Sequence, residues 1–350
     1  MVKPKSKKII LNQDISNVYN KLSRRKIWTI LVLALITFIL FFLNLCVGAS
    51  NQTPIKLIEN FITNPESNGA LILFNLRLPH VLTSLLVGSI LGICGCILQS
   101  SLGNPLAAPS TIGVSQGAAC GACIAIICGG SAILGAFGIV ILAFVFALIP
   151  TVLIFIISKY KNFSATSIIL SGIAMSIFFG GLVALVEYFA DSSQVAQVVF
   201  WTFGSLYNVD YPKLIIMLAM LIFISLYSIF NSLNFNAMEC GDMTAHSVGI
   251  NVGGSRLRHL VVAALASACV TAFCGTINFI GLIAPHIMRR FVGANYKYLI
   301  PTSALCGACI LCLSDILSAV ILPGAILPIG AITSFIGAPI FIWILMKKVK

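Results

Sequence analysis

Long apolar stretches with almost no charged residues dominate this sequence, and they restrict it to folds that a lipid bilayer can surround. The chain has 350 residues, of which 59% are hydrophobic and 9% are charged, and its mean hydropathy is +1.07. Soluble domains carry about 25% charged residues, and one membrane-crossing helix needs about 20 apolar residues. The sequence therefore predicts an all-α polytopic membrane protein with about ten transmembrane helices. The predicted spans are residues 27–47, 80–102, 112–130, 133–157, 166–189, 214–234, 258–275, 278–292, 299–321 and 326–346.

The basic residues are unevenly divided between the two sides that ten spans define. Both termini then lie on one side, and if that side is the cytoplasm, eighteen of the 21 Lys and Arg residues are cytoplasmic. Lys and Arg are retained on the cytoplasmic side of membranes. We therefore predict a multi-pass protein of the cytoplasmic membrane with both termini inside. The net charge of +12 does not indicate a nucleic-acid-binding face, because the charges lie at the termini and in short loops.

This distribution also suggests how the chain is organised. Residues 1–26 are interpreted as a basic cytoplasmic N-terminal arm, and residues 27–350 as the transmembrane domain. The longest polar stretch between spans after residue 200 covers about 236–257, and it is predicted to be cytoplasmic.

Twelve cysteines invite a metal interpretation, since Cys120 and Cys123, and then Cys306, Cys309 and Cys312, are spaced three residues apart. Residues three apart share one face of a helix, but a cluster needs a loop that wraps its thiolates around the metal. Cysteine also serves as a small apolar residue where helices approach closely. We therefore predict helix packing as the role of these residues, with no metal and no cofactor.

Two segments interrupt otherwise apolar runs. In the first, residues 103–113, Asn104 and Pro105 stand near Gly103 and Pro109, and the second, residues 281–290, contains Pro285 and His286. A shift of 180 positions aligns Gly95 with Gly275, Cys94 with Cys274 and Pro105 with Pro285. Because the helices before the two breaks run in opposite directions, the pattern predicts an inverted repeat. A plain cytoplasmic turn is the alternative for the first segment.

The polar stretch of residues 236–257 contains a predicted short helix. Asp242 begins a run without Gly or Pro that lasts to Val248, and Gly249 ends it. An acid at the start and a glycine after the end are helix boundary signals. Such a helix suits docking into the groove of a partner protein, although an ordinary surface helix has the same pattern.

Charged and catalytic groups are scarce inside the predicted spans. Asp315 is the one deep charge, and we expect it to bond backbone at a helix break, because a proton relay would need a chain of such groups. No Gly-Lys pair occurs in the sequence, so the chain carries no phosphate-binding Walker A loop. ATP-driven transport would therefore need a separate ATPase.

Several motifs occur in a characteristic order and together resemble the FecCD-type permease family of ABC importers for iron–siderophore complexes, haem and cobalamin. The resemblance covers the chain from about residue 70 to the C-terminus. The motifs are Arg77-Leu-Pro-His80, Asn104-Pro-Leu-Ala107, Gly113-Val-Ser-x-Gly117, the loop 241–252, Phe279-Ile-Gly-Leu-Ile-Ala-Pro-His-Ile287, Leu327-Pro-Ile-Gly330 and Ile336-Gly-Ala-Pro339.

The resemblance implies an inverted-repeat, type II importer permease fold of ten helices. It also implies two permease subunits, identical or paralogous, with a pair of ABC ATPase subunits and an extracytoplasmic substrate-binding (lipo)protein. The breaks at 103–113 and 281–290 then become structural elements beside the transport pathway. By the same resemblance, the residues that couple the permease to the ATPase are Gly241, Asp242, Ala245, Val248, Gly249 and Val252.

The resemblance also implies basic residues on the outer face that meet acidic residues of the binding protein. Arg77 matches one such position, and Lys56 or Lys213 would assist it. Ser318-Ala319 stands where the family often has Arg, and Ile326 stands where it often has Glu, so the docking pattern departs from that of the family.

The predicted function is therefore that of a transport permease, without catalytic residues, that imports an iron(III)–siderophore complex by alternating access. Cobalamin or haem is the alternative substrate. An ion-coupled secondary carrier is a different class of alternative, and the scarcity of deep carboxylates counts against it. A membrane-embedded enzyme is a third alternative, and no His/acid or metal-ligand constellation supports it.

Overall fold

The computed structural model describes residues 5–47, 71–129, 135–322 and 327–346, and the regular elements in these residues are helical. The helices are α1 Lys5–Cys46, α2 Leu78–Leu102, α3 Val114–Ile127, α4 Gly138–Lys159, α5 Ala165–Tyr188, α6 Ser192–Thr202, α7 Tyr211–Phe230, α8 Ser232–Glu239, α9 Asp242–Ser247, α10 Val252–Cys274, α11 Ile280–Val292, α12 Tyr296–Val320 and α13 Ile329–Met346. A π-helical turn, Leu73–Arg77, precedes α2, and short 3₁₀ turns cover Pro109–Ile112 and Gly135–Phe137.

Each of the ten predicted spans coincides with a helix. Seven of these helices are long and apolar enough to cross a membrane by length and composition. The other three, α3, α11 and α13, are shorter; α11 has 13 residues and is about 20 Å long, less than the hydrocarbon core of a bilayer. Two helices were not predicted, α6 and α8, because each is too short and too polar to register as an apolar run.

Helix α2 forms the centre of the bundle and packs against α7, α10, α11 and α12. Its most apolar stretch is 78% buried, whereas that of α1 is only 6% buried and faces outward. Glycines allow the central helices to approach closely. A Cβ at Gly95 would overlap the Gly281 carbonyl oxygen, and a Cβ at Gly88 would overlap the Gly307 carbonyl oxygen. Small residues are the usual means by which helices associate in lipid.

Most cysteines of the spans are buried, and several lie at such helix contacts, whereas Cys46 and Cys128 are exposed. Cys312 Sγ lies 3.0 Å from the Ser84 hydroxyl, and Cys309 Sγ lies 3.1 Å from the Thr37 hydroxyl. Thus Cys309 and Cys312, although three residues apart, contact different helices.

The first break lies at the predicted residues, 103–113. After α2 the chain leaves the helix at Gly103, passes Asn104 and Pro105, and forms the 3₁₀ turn before α3 begins. Gly103 has a φ of 54°, and its NH bonds the Ser100 carbonyl, which closes the end of α2.

The second break was predicted at the wrong place. Residues 281–290, including Pro285 and His286, lie inside the continuous helix α11, and the interruption comes earlier, at Gly275–Phe279. Pro285 removes one backbone hydrogen bond, to the Gly281 carbonyl, and clashes with that group. Tight packing of Gly281 against α2 holds the helix together despite this loss.

The corrected break keeps an inverted repeat but not the predicted 180-residue alignment, since Gly95 lies inside α2 and Gly275 in the break, while Pro105 lies in the first break and Pro285 inside α11. A long helix, a break and a shorter helix occur twice, as α2–α3 and as α10–α11. Helices α2 and α10 run antiparallel, since Cys94 contacts Ala263 while Ser101 contacts His259. The two halves are therefore oppositely oriented.

Residue 26, the predicted end of the N-terminal arm, lies inside α1, which continues without interruption from the arm into the first span. Two ends of the bundle can be distinguished by their charge. We call one the basic end, because it holds Lys159, Lys161, Arg256, Arg258, Arg289, Arg290 and Lys297, and the opposite one the cavity end.

Candidate functional site

Glycines fix both ends of α9, the short helix that was predicted in the polar loop at the basic end. Gly241 precedes Asp242 with a φ of 100°, and Gly249 follows the helix with a φ of 85°. Both values lie in the left-handed region, which residues with a Cβ rarely adopt. The Asp242 carboxylate lies in the first turn, where the helix dipole favours a negative charge.

The two sides of α9 have different surroundings. Ala245 is fully buried and packs with Met238 and Val252, so this side fastens the helix to the bundle. On the other side Met243 is 89% exposed and Val248 is 64% exposed. The predicted coupling residues are therefore brought together, and they combine an anchored side with an exposed apolar side. Such a surface is suited to contact with another protein.

Arg256 connects α9 to two distant segments. Its Nη2 donates to Asp242 Oδ1 at 2.7 Å, its Nε to the Ser101 carbonyl at 2.6 Å, and its Nη1 to the Phe163 carbonyl at 2.9 Å. The Arg256 side chain is 4% exposed, whereas that of Asp242 is 56% exposed. Hydrogen bonds from an ionised donor are stronger than neutral ones. One guanidinium therefore holds α9, the C-terminal end of α2 and the α4–α5 turn in a fixed relation.

The turn that Arg256 contacts has an unfavourable backbone. Asn162 and Phe163 have φ values of 51° and 54°, and neither is glycine. Residues held in this region cost about 1–3 kcal/mol each and persist only where their surroundings fix them. The bond from Arg256 to the Phe163 carbonyl is one such constraint.

A second network joins the same loop to α11 and α12. Arg289 Nη1 donates to Glu239 Oε1 at 2.7 Å, and Tyr296 Oη donates to Glu239 Oε2 at 2.8 Å. Asn236 Oδ1 accepts from the Tyr296 backbone NH at 2.9 Å. The C-terminal half of helix α8 is thereby tied to α11 and α12.

Sequence reasoning missed Arg256 and Glu239 as members of this site. The partners of Arg256 are 14, 93 and 155 residues away, so no local spacing reveals them. The only signal was the occurrence of isolated charges next to apolar spans, which the positive-inside rule already explained.

The cavity end contains an open cavity of about 820 Å³. Its walls come from α3, α4, α6, the segment before α7, and the C-terminal ends of α10 and α12. Trp201, Tyr207, Lys213, Gly275 and Asp315 are among the residues that line it. The second break therefore lines a cavity, as irregular backbone at membrane depth must if protein does not bury it.

Asp315 forms a buried cluster at the wall of this cavity. Its Oδ1 lies 3.1 Å from His80 Nε2, and its Oδ2 accepts from Asn44 Nδ2 at 2.8 Å. The ring of Tyr207 stacks on that of His80 with centroids 3.8 Å apart. Burial, and secondarily the Asp315 charge, raises the pKa of Tyr207 to about 12, so the phenol stays protonated. The cluster ties α1, α2, α12 and the segment before α7 together.

The expectation that Asp315 bonds backbone at a helix break is therefore wrong. Asp315 lies inside the continuous helix α12, and its carboxylate contacts the His80 and Asn44 side chains of two other helices. A carboxylate so deep in an apolar bundle needs donors. Since α12 has no free NH groups there, only side chains from neighbouring helices can supply them.

The outer basic residues are placed differently from the prediction. Arg77 is buried, with 7% exposure, and its Nη1 donates to the Leu45 carbonyl at 2.9 Å. The guanidinium is thus engaged within the bundle, and the docking role expected for Arg77 stays a prediction. Lys213 lines the cavity, donates to the Asn208 carbonyl at 2.9 Å and lies 3.4 Å from Asp210. Lys56 lies outside the described residues.

Comparisons with known proteins agree with this architecture. The model of the FecCD transport family matches residues 35–347. The hemin transport system permease of Yersinia pestis is 32% identical, over 87% of this chain and 92% of its own length. The iron(3+)-hydroxamate import permease of Bacillus subtilis is 33% identical over 91% and 97%, and the vitamin B12 import permease of Salmonella paratyphi A is 31% identical over 93% and 97%.

A solved structure described as an inward-facing conformation of an ABC transporter, provisionally of the metal-chelate type, superposes with a TM-score of 0.79. It is 28% identical in sequence, and the match covers 92% of this chain and 99% of the other. The fold, with its basic end and its cavity end, thus defines a type II ABC importer permease. Such a protein is a membrane transport subunit and not an enzyme. More particularly, the chain belongs to the FecCD transport family.

Proposed function

We propose that this permease imports an iron(III)–siderophore complex across the cytoplasmic membrane by alternating access, with both termini in the cytoplasm. It works with a pair of ABC ATPase subunits, an extracytoplasmic binding (lipo)protein and a second permease subunit, identical or paralogous. The observation that carries the proposal is α9, an anchored helix at the basic end that exposes Met243 and Val248. An ATPase seated there would reach the bundle through Arg256.

The relatives that import iron(3+)-hydroxamate, hemin and vitamin B12 are 33%, 32% and 31% identical to this chain, so identity does not separate the three substrates. The iron chelate is proposed on the character of the cavity. The cavity of about 820 Å³ combines aromatic walls, Trp201 and Tyr207, with the ammonium of Lys213. Such a surface suits a bulky complex with both apolar and polar parts.

Docking of the binding protein is proposed for the cavity end. Of the two outer lysines predicted to assist docking, Lys213 lies at this end, and 19% of its side chain is exposed beside Asp210. We propose the same docking role for Lys56. Acidic residues of a binding protein would complement these charges and speed its encounter with the permease.

Transport in vesicles tests the function. The permease, its ATPase and its binding protein are reconstituted, and ferric siderophores, haem and cobalamin are offered in parallel with ATP. We expect uptake of the iron chelate, insensitive to an uncoupler and lost when the Walker lysine of the ATPase is replaced. Transport of haem or cobalamin alone would overturn the substrate, and uptake without ATPase would overturn the importer mechanism.

The coupling site is tested in the same vesicles. Gly249→Trp places a bulky side chain at a φ of 85°, and Asp242→Lys reverses the charge beside Arg256. Both variants should abolish uptake while the permease remains in the membrane. Gly180→Trp makes the same kind of change inside α5, where an added Cβ meets no neighbouring element within 4 Å; it is the matched control and should transport at the normal rate. Normal uptake by Gly249→Trp would contradict the coupling role of α9.

A further inference from the structure

A groove of about 450 Å³ runs between α2, α7 and α12 on the outside of the bundle. Its floor and walls are apolar or small and include Ile93, Leu221, Ile300 and Ala304. At the basic end of the bundle the groove reaches Ser232 and Lys297. The volume lies within the range of about 300–1,000 Å³ that is usual for ligand sites.

The groove opens toward lipid and not toward the transport pathway. Helix α7, which forms one wall, exposes a row of large apolar side chains; Ile229, which also lines the groove, is 60% exposed and Phe230 is 82% exposed. Helix α1, which packs against α12, is exposed along its apolar length. In a membrane protein, apolar faces of this extent are in contact with acyl chains.

Lys297 lines the basic end of the groove, and Lys26 on α1 contacts the same neighbouring aromatic ring, that of Tyr298. The Nζ atoms of Lys26 and Lys297 lie 5.2 and 5.9 Å from the centroid of the Tyr298 ring. Within the described part of the chain, no carboxylate lies at ion-pair distance from either of them. An ammonium at the end of an apolar groove, with no carboxylate at ion-pair distance in the described residues, favours an anion there.

The depth of Lys297 indicates which kind of anion is available. Helix α12 has 25 residues and is therefore about 37 Å long, which exceeds the hydrocarbon thickness of about 30 Å. Lys297 is the second residue of this helix, so its ammonium lies at the level of the lipid headgroups. Basic pockets between helices at this level bind anionic lipid headgroups.

We propose that the groove is a binding site for an anionic membrane phospholipid. One acyl chain lies along the apolar groove between α2, α7 and α12, and the phosphate lies beside Lys297 at its basic end. The site is separate from both α9 and the cavity, so it does not depend on which substrate is transported.

Spin-labelled lipids test the site on the full permease–ATPase complex in phosphatidylcholine vesicles. Labelled phosphatidylglycerol and labelled phosphatidylcholine are compared by their motionally restricted fractions. We expect the unchanged complex to prefer phosphatidylglycerol, and Lys297→Glu to reduce this preference about fivefold. Lys159→Glu makes the same charge change at an exposed position on α4, away from the groove, and should leave the preference unchanged.

A second variant separates the acyl-chain site from the charge. Ala304→Phe fills the groove and should lower the restricted fraction of both lipids, while the complex stays assembled. An unaltered phosphatidylglycerol preference in Lys297→Glu would overturn the proposal. So would the loss of permease–permease association in Ala304→Phe, because the groove would then be a contact between copies of the chain.

Discussion

Single buried polar residues link segments of this permease that are far apart in the sequence. Arg256 does so at the basic end and Asp315 at the cavity end, and each satisfies its charge through groups on other elements. Inside an apolar bundle an unpaired charge costs far more free energy than at a surface. Arg256 and Asp315 must therefore keep these partners for the bundle to stay stable. The same property makes each residue sensitive to substitution.

The first prediction concerns Arg256. Arg256→Gln cannot keep all three bonds, and hydrogen bonds to a charged group are worth about 1.5–3 kcal/mol each. We expect initial uptake to fall at least about tenfold, with more ATP hydrolysed per substrate, as α9 loses its connection to α2. Uptake and ATPase rates in vesicles measure the change.

Arg258→Gln is the matched control for this variant. Arg258 is exposed, and its only described partners, the Gly254 carbonyl and the Ser255 hydroxyl, lie within one turn of the same helix. It should retain uptake within about twofold, in line with the small effect of exposed charges. Equal effects of the two substitutions would refute the special role of Arg256.

At the scale of elements, close contact between helices depends on glycines that carry no functional group. Gly95 on α2 faces the backbone of Gly281 on α11, and this contact brings the helix after the second break against the centre of the bundle. It also accounts for the tolerance of Pro285 inside α11, since packing replaces the support of the missing hydrogen bond.

The second prediction follows from this contact. Gly95→Ala inserts a methyl group where the Gly281 carbonyl oxygen lies, and overpacking of this kind costs about 1–3 kcal/mol. We expect a lower thermal unfolding midpoint for the purified permease. Gly180→Ala makes the same change inside α5, where no atom lies within 4 Å of the new Cβ, and should be neutral or stabilising. A midpoint unaffected by Gly95→Ala would contradict the packing assignment.

At the scale of the whole molecule, the two ends of the bundle differ in charge and in shape. The basic end carries α9, and the opposite end carries the cavity of about 820 Å³. An importer needs such a difference, because the substrate enters from one side and the energy is supplied from the other.

The third prediction tests the proposed orientation with native cysteines. Cys46 and Cys128 are exposed at the cavity end, and Cys240 is exposed beside α9. Variants keep one of these three, with the other two replaced by Ser. In intact cells a membrane-impermeant maleimide should label Cys46 and Cys128, and it should label Cys240 only in inside-out vesicles. Labelling of Cys240 in intact cells would reverse the orientation.

The sequence by itself determined the features that depend on local composition. Apolar runs predicted the positions of ten helices, seven of which are long and apolar enough to cross a membrane, because lipid requires continuous apolar surface. The acid and the glycine around residues 242–249 predicted α9, because a left-handed residue ends a helix wherever it occurs. The motif series identified the family, which the comparisons confirmed.

Only the tertiary structure decided which residues meet across the bundle. It placed the second break at Gly275–Phe279, paired Asp315 with His80 and Asn44, and buried Arg77. It also joined Arg256 to α2 and to the α4–α5 turn. These contacts depend on helix packing at small residues far apart in the chain, and the periodicity of one helix contains no information about the neighbour that supplies its partners.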